Sequence, residues 1–306
     1  MAKWQKRFLW TVIILAALLV PAYYELVLNS PSEGADYSID IAKVRALANS
    51  IPGDKSSEIR YERIMNFRFA EAMVAAGDPW RWTLLPVYSY QLVFPDQTLI
   101  VDTAMPRSMA GPDFMVRAYD DAAYQRMDEV MDKASQIVVT HEHMDHIGGL
   151  AAHPHLAALL PAVRLTAEQF ANPEGMKPAV WPAGVMKNYQ PIHYAKMLVI
   201  APGVVLIKAP GHTPGSQMVY VQRADGRELL FLGDVAWHMR SIELVRERPL
   251  FMTLIIGENR QQVLGEFKAL HALMQTDPSV HLVPGHDGEV VKALSDQGLL
   301  TQHFKL

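Results

Sequence analysis

The sequence predicts an α/β domain in which β-sheets are covered by helices, preceded by one apolar helix at the amino terminus. Three observations predict it. Short β-branched and aromatic runs bounded by Gly, Pro and Asp outnumber segments of helical spacing. Several apolar runs end in a histidine or an aspartate, the position at which a rigid scaffold presents reactive groups. Residues 8–20 form a nearly uninterrupted apolar run behind a basic flank.

In that first segment Lys3, Lys6 and Arg7 precede Phe8 to Val20, and the run continues through Pro21, Ala22, Tyr23 and Tyr24 before Glu25 interrupts it. A bilayer span needs about 20 apolar residues, and aromatic side chains favour its interfaces. Residues 1–28 are expected to be an uncleaved single-pass signal anchor in the inner or plasma membrane. The basic flank then stays in the cytoplasm and the rest lies on the periplasmic or extracytoplasmic side. The alternative is a secretory signal cleaved near Ala22, which would release the protein; the long run and weak cleavage context favour the anchor. Residues 29–58 read as a Ser-, Pro- and Gly-containing linker with a short helix from Ile41 to Ala48, stopped by Pro52 and Gly53. Residues 59–306 are expected to form one domain.

Within that domain Ile59 to Phe69, Val87 to Phe94 and Thr98 to Val101 read as successive strands, although Phe69 to Ala76 also suits a helix. Tyr119 to Lys133 has helical spacing and feeds the buried-strand run Ile137 to Val139. Val204 to Lys208, Met218 to Gln222 and Leu229 to Leu232 read as strands, with Asp225 and Gly226 turning between the last two. Glu258 to Met274 reads as a helix and His281 to Val283 as a final strand. A formal net charge of −4 without a basic tract argues against a nucleic-acid partner. The chain has no cysteine, which excludes disulfides, thiolate nucleophiles and thiolate metal ligands.

The chemistry concentrates after Ile137 to Val139. There, after Thr140, His141-Glu142-His143-Met144-Asp145-His146 packs three imidazoles and two carboxylates into six residues. Such groups cannot all be buried without hydrogen-bond or metal partners. A turn out of a strand can aim His141 and His143 at one point, and Asp145 and His146 at a second. Gly211-His212-Thr213, Gly233-Asp234 and Gly285-His286-Asp287 repeat the pattern at other strand ends. Nitrogen and oxygen ligands without sulfur suit Zn²⁺, with Mn or Fe as alternatives.

His141-x-His143-x-Asp145-His146, followed in order by His212, Asp234 and His286, resembles the metallo-β-lactamase superfamily. Asp102, at the end of Leu99-Ile100-Val101-Asp102, resembles its first motif. The resemblance covers about Tyr61 to the end of the chain. It implies a four-layer αββα sandwich with two metals at one sheet edge, making residues 59–306 a catalytic domain. By the family's pattern His141, His143 and His212 hold one metal, Asp145, His146 and His286 the other, and Asp234 bridges them. Asp102 then supports the site without binding metal. Two Zn²⁺ about 3.5–4 Å apart would lower the pKa of a bridging water toward about 7 and polarise the attacked oxygen. Asp145 would also orient the resulting hydroxide or accept its proton. Hydrolysis of a small molecule is the expected reaction, and the chain carries no Gly-x-Ser-x-Gly elbow to supply another nucleophile.

The contexts of Asp234 and His286 look most like lactonases and related ester hydrolases. Such lactonases often place a tyrosine three residues after the bridging aspartate, where this chain has Trp237; Tyr220 and Tyr194 are the candidate replacements. A thioesterase of the glyoxalase II type is second, since Ser216 stands where that branch often has a histidine. A β-lactam hydrolase is a further alternative, although no cysteine occupies the Asp234 position. Phosphodiesterase or nuclease activity suits the acidic charge poorly. A catalytically silent membrane-surface scaffold is the reading from another class, and the complete ligand set argues against it.

His238 is expected to line the substrate pocket. Met176, Trp181, Met186 and Tyr189, in the weakly periodic stretch 171–197, are expected to cap an apolar acyl pocket; a surface excursion with its own small core is the equal alternative. On the cap reading Trp181→Ala would weaken long acyl substrates and spare short ones. His153, His155, His193, His271, His281 and His303 lack partners at ligand spacing and are read as structural. Glu142 and Met144 are expected to point away from the metals, solvated and packed respectively.

Overall fold

Strand β1 (Glu58–Ala70) pairs antiparallel with β2 (Trp82–Val93), and β2 with β3 (Thr98–Val101). The computed structural model describes residues 2–31, 33–112 and 114–306. A short β4 (Val116–Arg117) pairs with β1, and β5 (Gln136–Val138) joins β3 in parallel. The second sheet comprises β6 (Met197–Ala201), β7 (Val204–Lys208), β8 (Gln217–Gln222), β9 (Glu228–Gly233) and β10 (Val280–Pro284), in the order β10-β9-β8-β7-β6. The last strand, β11 (Thr301–Gln302), returns to the first sheet and pairs in parallel with β1.

Alternation within each strand divides its side chains between two apolar layers. Leu206, Val219, Val221, Leu229 and Phe231 face Tyr88, Tyr90, Leu92, Leu99 and Val101 across the sandwich interior. Tyr90 and Phe231 meet there at 4.6 Å between ring centroids. Their neighbours Val205, Ile207, Met218, Tyr220, Leu230 and Leu232 face the other way, onto the helices Ile41–Ala48, Met239–Leu244 and Arg260–Thr276. On the far side of the first sheet Ile64, Met65, Ile100, Ile137 and Val139 pack against Asp121–Met131 and Met144–Ala152. The layers are therefore helix, sheet, sheet, helix, as expected. Because both faces of the central strands are buried, they read in sequence as continuous apolar runs.

Local chemistry sets the helix starts. Asp120, Asn259 and Asp287 each accept hydrogen bonds from backbone N–H groups in the first turn of their helices. Gly149 lets Met144–Ala152 lie against the chain after β3, because a Cβ there would sit 2.0 Å from the Thr103 carbonyl oxygen.

Several expectations are corrected. Phe69 and Ala70 end β1, and only the turn Glu71–Met73 is helical. The helix expected from Glu258 begins at Arg260, where Asn259 caps it. Unforeseen were β4, β6, β11 and the helices Met239–Leu244, Leu250–Ile256 and Gly288–Asp296. Most of these are short, and Leu250–Ile256 is almost wholly apolar, so neither periodicity stands out in them, whereas Gly288–Asp296 does carry helical spacing at Val290, Val291 and Leu294.

The segment read as a linker is docked. Ala35 N–H donates to the Gln261 carbonyl at 2.7 Å, and the Tyr37 hydroxyl donates to the Lys208 carbonyl at 2.7 Å. Before it, Lys3–Tyr23 is helical and Tyr24–Leu28 forms a π-helical turn. Among the described residues this is the one helix long and apolar enough to cross a membrane. Its 21 residues rise about 31 Å, the thickness of a bilayer core.

Candidate metal centre

Five chain segments converge at one edge of the sandwich. After β3 the backbone turns through Asp102 at φ +60°, a left-handed conformation that aims its carboxylate at the end of β5. One oxygen accepts from Thr140 N–H at 2.6 Å; the other accepts from the Thr140 hydroxyl at 2.9 Å and from His146 Nδ1 at 2.8 Å. That last bond leaves His146 Nε2 facing the site. His143 is the N-cap of Met144–Ala152, so Asp145 and His146 lie in the first turn of a helix that starts at the cluster.

The loops after β7, β9 and β10 supply the rest. Gly233 at φ +52° passes against Thr140, whose Oγ1 would lie 2.4 Å from any Cβ, and this close passage delivers Asp234. Asp234 Oδ2 faces His141 Nε2 at 3.7 Å and His212 Nε2 at 3.5 Å. Its Oδ1 faces His146 Nε2 at 3.2 Å and His286 Nε2 at 3.0 Å. Asp145 Oδ2 lies 3.5 Å from His286 Nε2. The cluster resolves into two groups that share Asp234, namely His141, His143, His212 and Asp234, and Asp145, His146, His286 and Asp234. Within each, the ligand atoms lie within 4.8 Å of one another.

The donor set fits metal. His141 Nε2, His146 Nε2 and Asp234 Oδ1 are buried without a hydrogen-bond partner, an arrangement that is costly unless a cation takes the lone pairs. Burial pulls the His141 pKa well below the usual imidazole value, that of His143 to about 4 and that of His212 to about 3, which keeps these rings in the neutral, ligating form. Burial also opposes charge on His146, but Asp102, Asp234 and Asp145 outweigh it and raise that group well above its ordinary value. Burial would raise Asp234, yet His286, His146 and His141 hold its carboxyl well below the usual range.

Behind the ligands lies a support that the sequence did not reveal. Glu258 accepts from His212 Nδ1 at 2.7 Å and from the fully buried Arg248. Arg248 also donates to the Asp234 carbonyl, and its guanidinium lies 4.3 Å above the Trp237 ring. The Trp237 indole N–H donates to Asp234 Oδ2 at 2.7 Å. Glu266 accepts from Gly211 N–H, and His286 Nδ1 donates to the Pro86 carbonyl at 2.8 Å. Glu258→Gln keeps an acceptor for His212 but removes its charge. It is expected to weaken zinc binding about tenfold in competition with a chromophoric chelator; unchanged affinity would show that the charge does not tune His212.

Next to the cluster opens a cavity of about 550 Å³. Its polar floor includes His143, Asp145, His212, Asp234 and His286, and its walls are Phe67, Phe69, Met73, Leu85, Trp237, Met252 and Ile256. Trp237 is among the residues that line the cavity, and its N–H is engaged with Asp234. Tyr220 does not line it: strand parity turns Tyr220 into the layer between the second sheet and its helices. Tyr194 packs with the sandwich interior, and its hydroxyl donates to Gln217.

His238 caps Met239–Leu244 and sits 3.3 Å from Asp287, facing a different surface depression beside Arg240 and Asp78. Trp181 packs with Met176, Met186 and Tyr189 against the helix layer of the first sheet, so the Trp181→Ala chain-length effect has no basis in its position. From residues 171–197 the pocket instead receives Glu174, Gly175 and Lys177. Glu142 is buried, accepting from Asn172 and Thr213, and the half-buried Met144 lines the pocket. His153 and His155 do have partners, since Asp132 closes a group with them away from the pocket.

The family model of the metallo-beta-lactamase superfamily matches residues 82–286. An N-acyl homoserine lactonase of a Bacillus species is 26% identical over 226 residues, covering 67% of this chain and 82% of the relative. The N-acyl homoserine lactonase AiiA of Bacillus thuringiensis subsp. kurstaki is 25% identical over 239 residues, covering 72% and 88%. Among solved structures, a quorum-quenching N-acyl homoserine lactone lactonase superposes with a TM-score of 0.62 at 20% identity, covering 78% of this chain and 95% of that one. With that match, this fold and this His/Asp cluster, the chain belongs to the metallo-beta-lactamase superfamily and is a metal-dependent hydrolase.

Proposed function

We propose that the protein is a membrane-anchored hydrolase with two zinc ions that opens an acyl lactone or a closely related ester. In this reading residues 1–28 are the anchor and residues 59–306 the catalytic domain. The observation that carries the substrate class is the apolar cavity beside the His/Asp cluster. Its volume of about 550 Å³ falls within the range of about 300–1,000 Å³ common for small-molecule sites. An acyl chain fits its Phe, Leu, Met and Trp walls, and a polar ring carbonyl fits its floor. The named lactonase relatives support the same reading.

His141, His143 and His212 would hold one ion, Asp145, His146 and His286 the other, with Asp234 between them. Two zinc ions there would lower the pKa of a shared water and polarise an ester carbonyl. The chain's own groups then position and move protons. Asp102 fixes the tautomer of His146, and Glu258 fixes that of His212. Asp145, at the pocket floor, accepts the proton of the attacking water and returns it to the leaving alkoxide as the ring C–O bond breaks. Trp237, with its N–H on Asp234, serves to hold that carboxylate and to wall the acyl site.

The test is hydrolysis by the full chain in detergent across acyl-homoserine lactones, simple esters, thioesters and a β-lactam, each with and without chelator. Lactone or ester opening that stops with chelator and returns with zinc is the expected result. Chelator-sensitive cleavage confined to thioesters or the β-lactam overturns the substrate, and inactivity on all of them favours the scaffold reading.

A further inference from the structure

The anchor is joined to the catalytic domain without a free spacer. Val27, in the π-helical turn, is buried, and its carbonyl accepts from Gly77 N–H at 3.1 Å. One turn earlier Tyr23 accepts a hydrogen bond from the Trp80 indole at 2.9 Å. The Trp80 ring stacks on Phe251, with centroids 6.2 Å apart and planes 22° apart. Phe251 belongs to Leu250–Ile256, a helix that also packs against Tyr24–Leu28. The membrane-side end of the anchor, Trp80 and this helix are thus one continuous structure.

The same helix is a wall of the active-site pocket. Met252, Ile255 and Ile256 line the cavity. Yet Leu254 and Ile255, three and four residues after Phe251 and hence on its side of the helix, are 69% and 72% exposed. Isolated exposed apolar residues are ordinary. Their helix packs against the end of an apolar helix of bilayer length and against a tryptophan bonded to its last turn, which is where interfacial aromatics and membrane-lying helices are found.

We infer that Leu250–Ile256 and Trp80 lie in the boundary between lipid headgroups and acyl chains, so that the pocket takes its substrate from the bilayer. The substrate class is then a lactone or ester whose long acyl chain partitions into membrane. This rests on the anchored-hydrolase reading above. The occupant of the exposed surface is the bilayer that holds the anchor, because the spacer-free junction keeps the helix at the membrane face.

The chain has no native cysteine, so Leu254→Cys introduces a single thiol for a polarity-sensitive fluorophore. In the full chain reconstituted into phosphatidylcholine vesicles, its emission is expected to shift to the blue and to be quenched by lipids brominated near the headgroup. The same dye on Asp225→Cys, in the hairpin turn at the opposite end of β9 from Asp234, should remain aqueous. Leu254→Glu should lower kcat/KM about tenfold for a dodecanoyl lactone presented in vesicles and leave a butanoyl lactone unaffected. An aqueous, unquenched dye at Leu254, or equal loss on both lactones, overturns the inference. If the unsubstituted chain opens neither lactone, the lactone reading fails, and the dye alone decides whether this helix meets the membrane.

Discussion

Asp234→Asn is expected to lower kcat/KM for lactone opening by about a thousandfold, because both of its oxygens face imidazole pairs and an amide can offer an acceptor to only one of them. A thousandfold loss corresponds to about 4 kcal/mol, in keeping with the several kcal/mol that metal-centred charge stabilisation contributes. The Trp237 indole would keep a hydrogen bond only if the amide oxygen took the Oδ2 position, which turns the amide N–H groups toward His146 and His286. Elemental analysis after dialysis should therefore show less than a full pair of ions per chain, alongside the kinetic loss. Two retained ions with activity within tenfold of the unsubstituted protein would remove Asp234 from the bridging position.

The second large effect is on stability. Arg248→Met removes the cation that meets Glu258, the Asp234 carbonyl and the Trp237 ring together, and it leaves Glu258 buried with its bond to His212 but without its paired cation. Breaking a buried ion pair from one side costs about 3–5 kcal/mol. For a domain of this size that is a fall in Tm on the order of 10 °C, measurable by calorimetry on the chelated protein so that metal affinity does not contribute. Burial already pushes the Glu258 carboxyl up to about 7 against the pull of Arg248. A Tm within about 2 °C of the unsubstituted protein would mean that Glu258 is held neutral and that Arg248 serves only to pack Trp237.

The parts of the site that were legible in the sequence share one property. His141, His143, Asp145, His146, His212, Asp234, His286 and Asp102 each stand at or just beyond the end of an apolar strand, inside a short motif whose residues are adjacent in the chain. The fold was legible for a related reason, since its central strands are buried on both faces and read as unbroken apolar runs. That same property hid which way each side chain points. Tyr220 could not be assigned a face from sequence, because both neighbours of its strand position are equally apolar, and it lies on the helix-covered side.

Trp237 apart, most walls of the pocket were invisible because they come from β1, β2 and Leu250–Ile256, segments far apart in the chain with no motif between them. Nothing in the sequence singles out Arg248 or Glu258; their burial and mutual contact identify them. The docked course of residues 33–40 was hidden by composition. Gly34 lies in the stretch read as a linker, whereas in the fold it and Gly265 let two stretches of backbone touch, a Cβ on Gly265 lying 2.2 Å from the Ala35 carbonyl oxygen.

The return of β11 to the first sheet has a kinetic consequence. Residues near 301 pair with Arg60 and Tyr61 at the start of β1, so the sheet that carries His141 to His146 is completed by a strand that follows the whole of the second sheet in the chain. The sheet that carries Asp234 and His286 is formed in between. Contacts of such long sequence separation form slowly, since the loop entropy is lost before the pairing is gained. The two halves of the cluster lie on different sheets, so until the sheets pack an ion meets at most half of its ligands. Metal held by all four groups of either site would therefore tie the two sheets together and stabilise the closed sandwich.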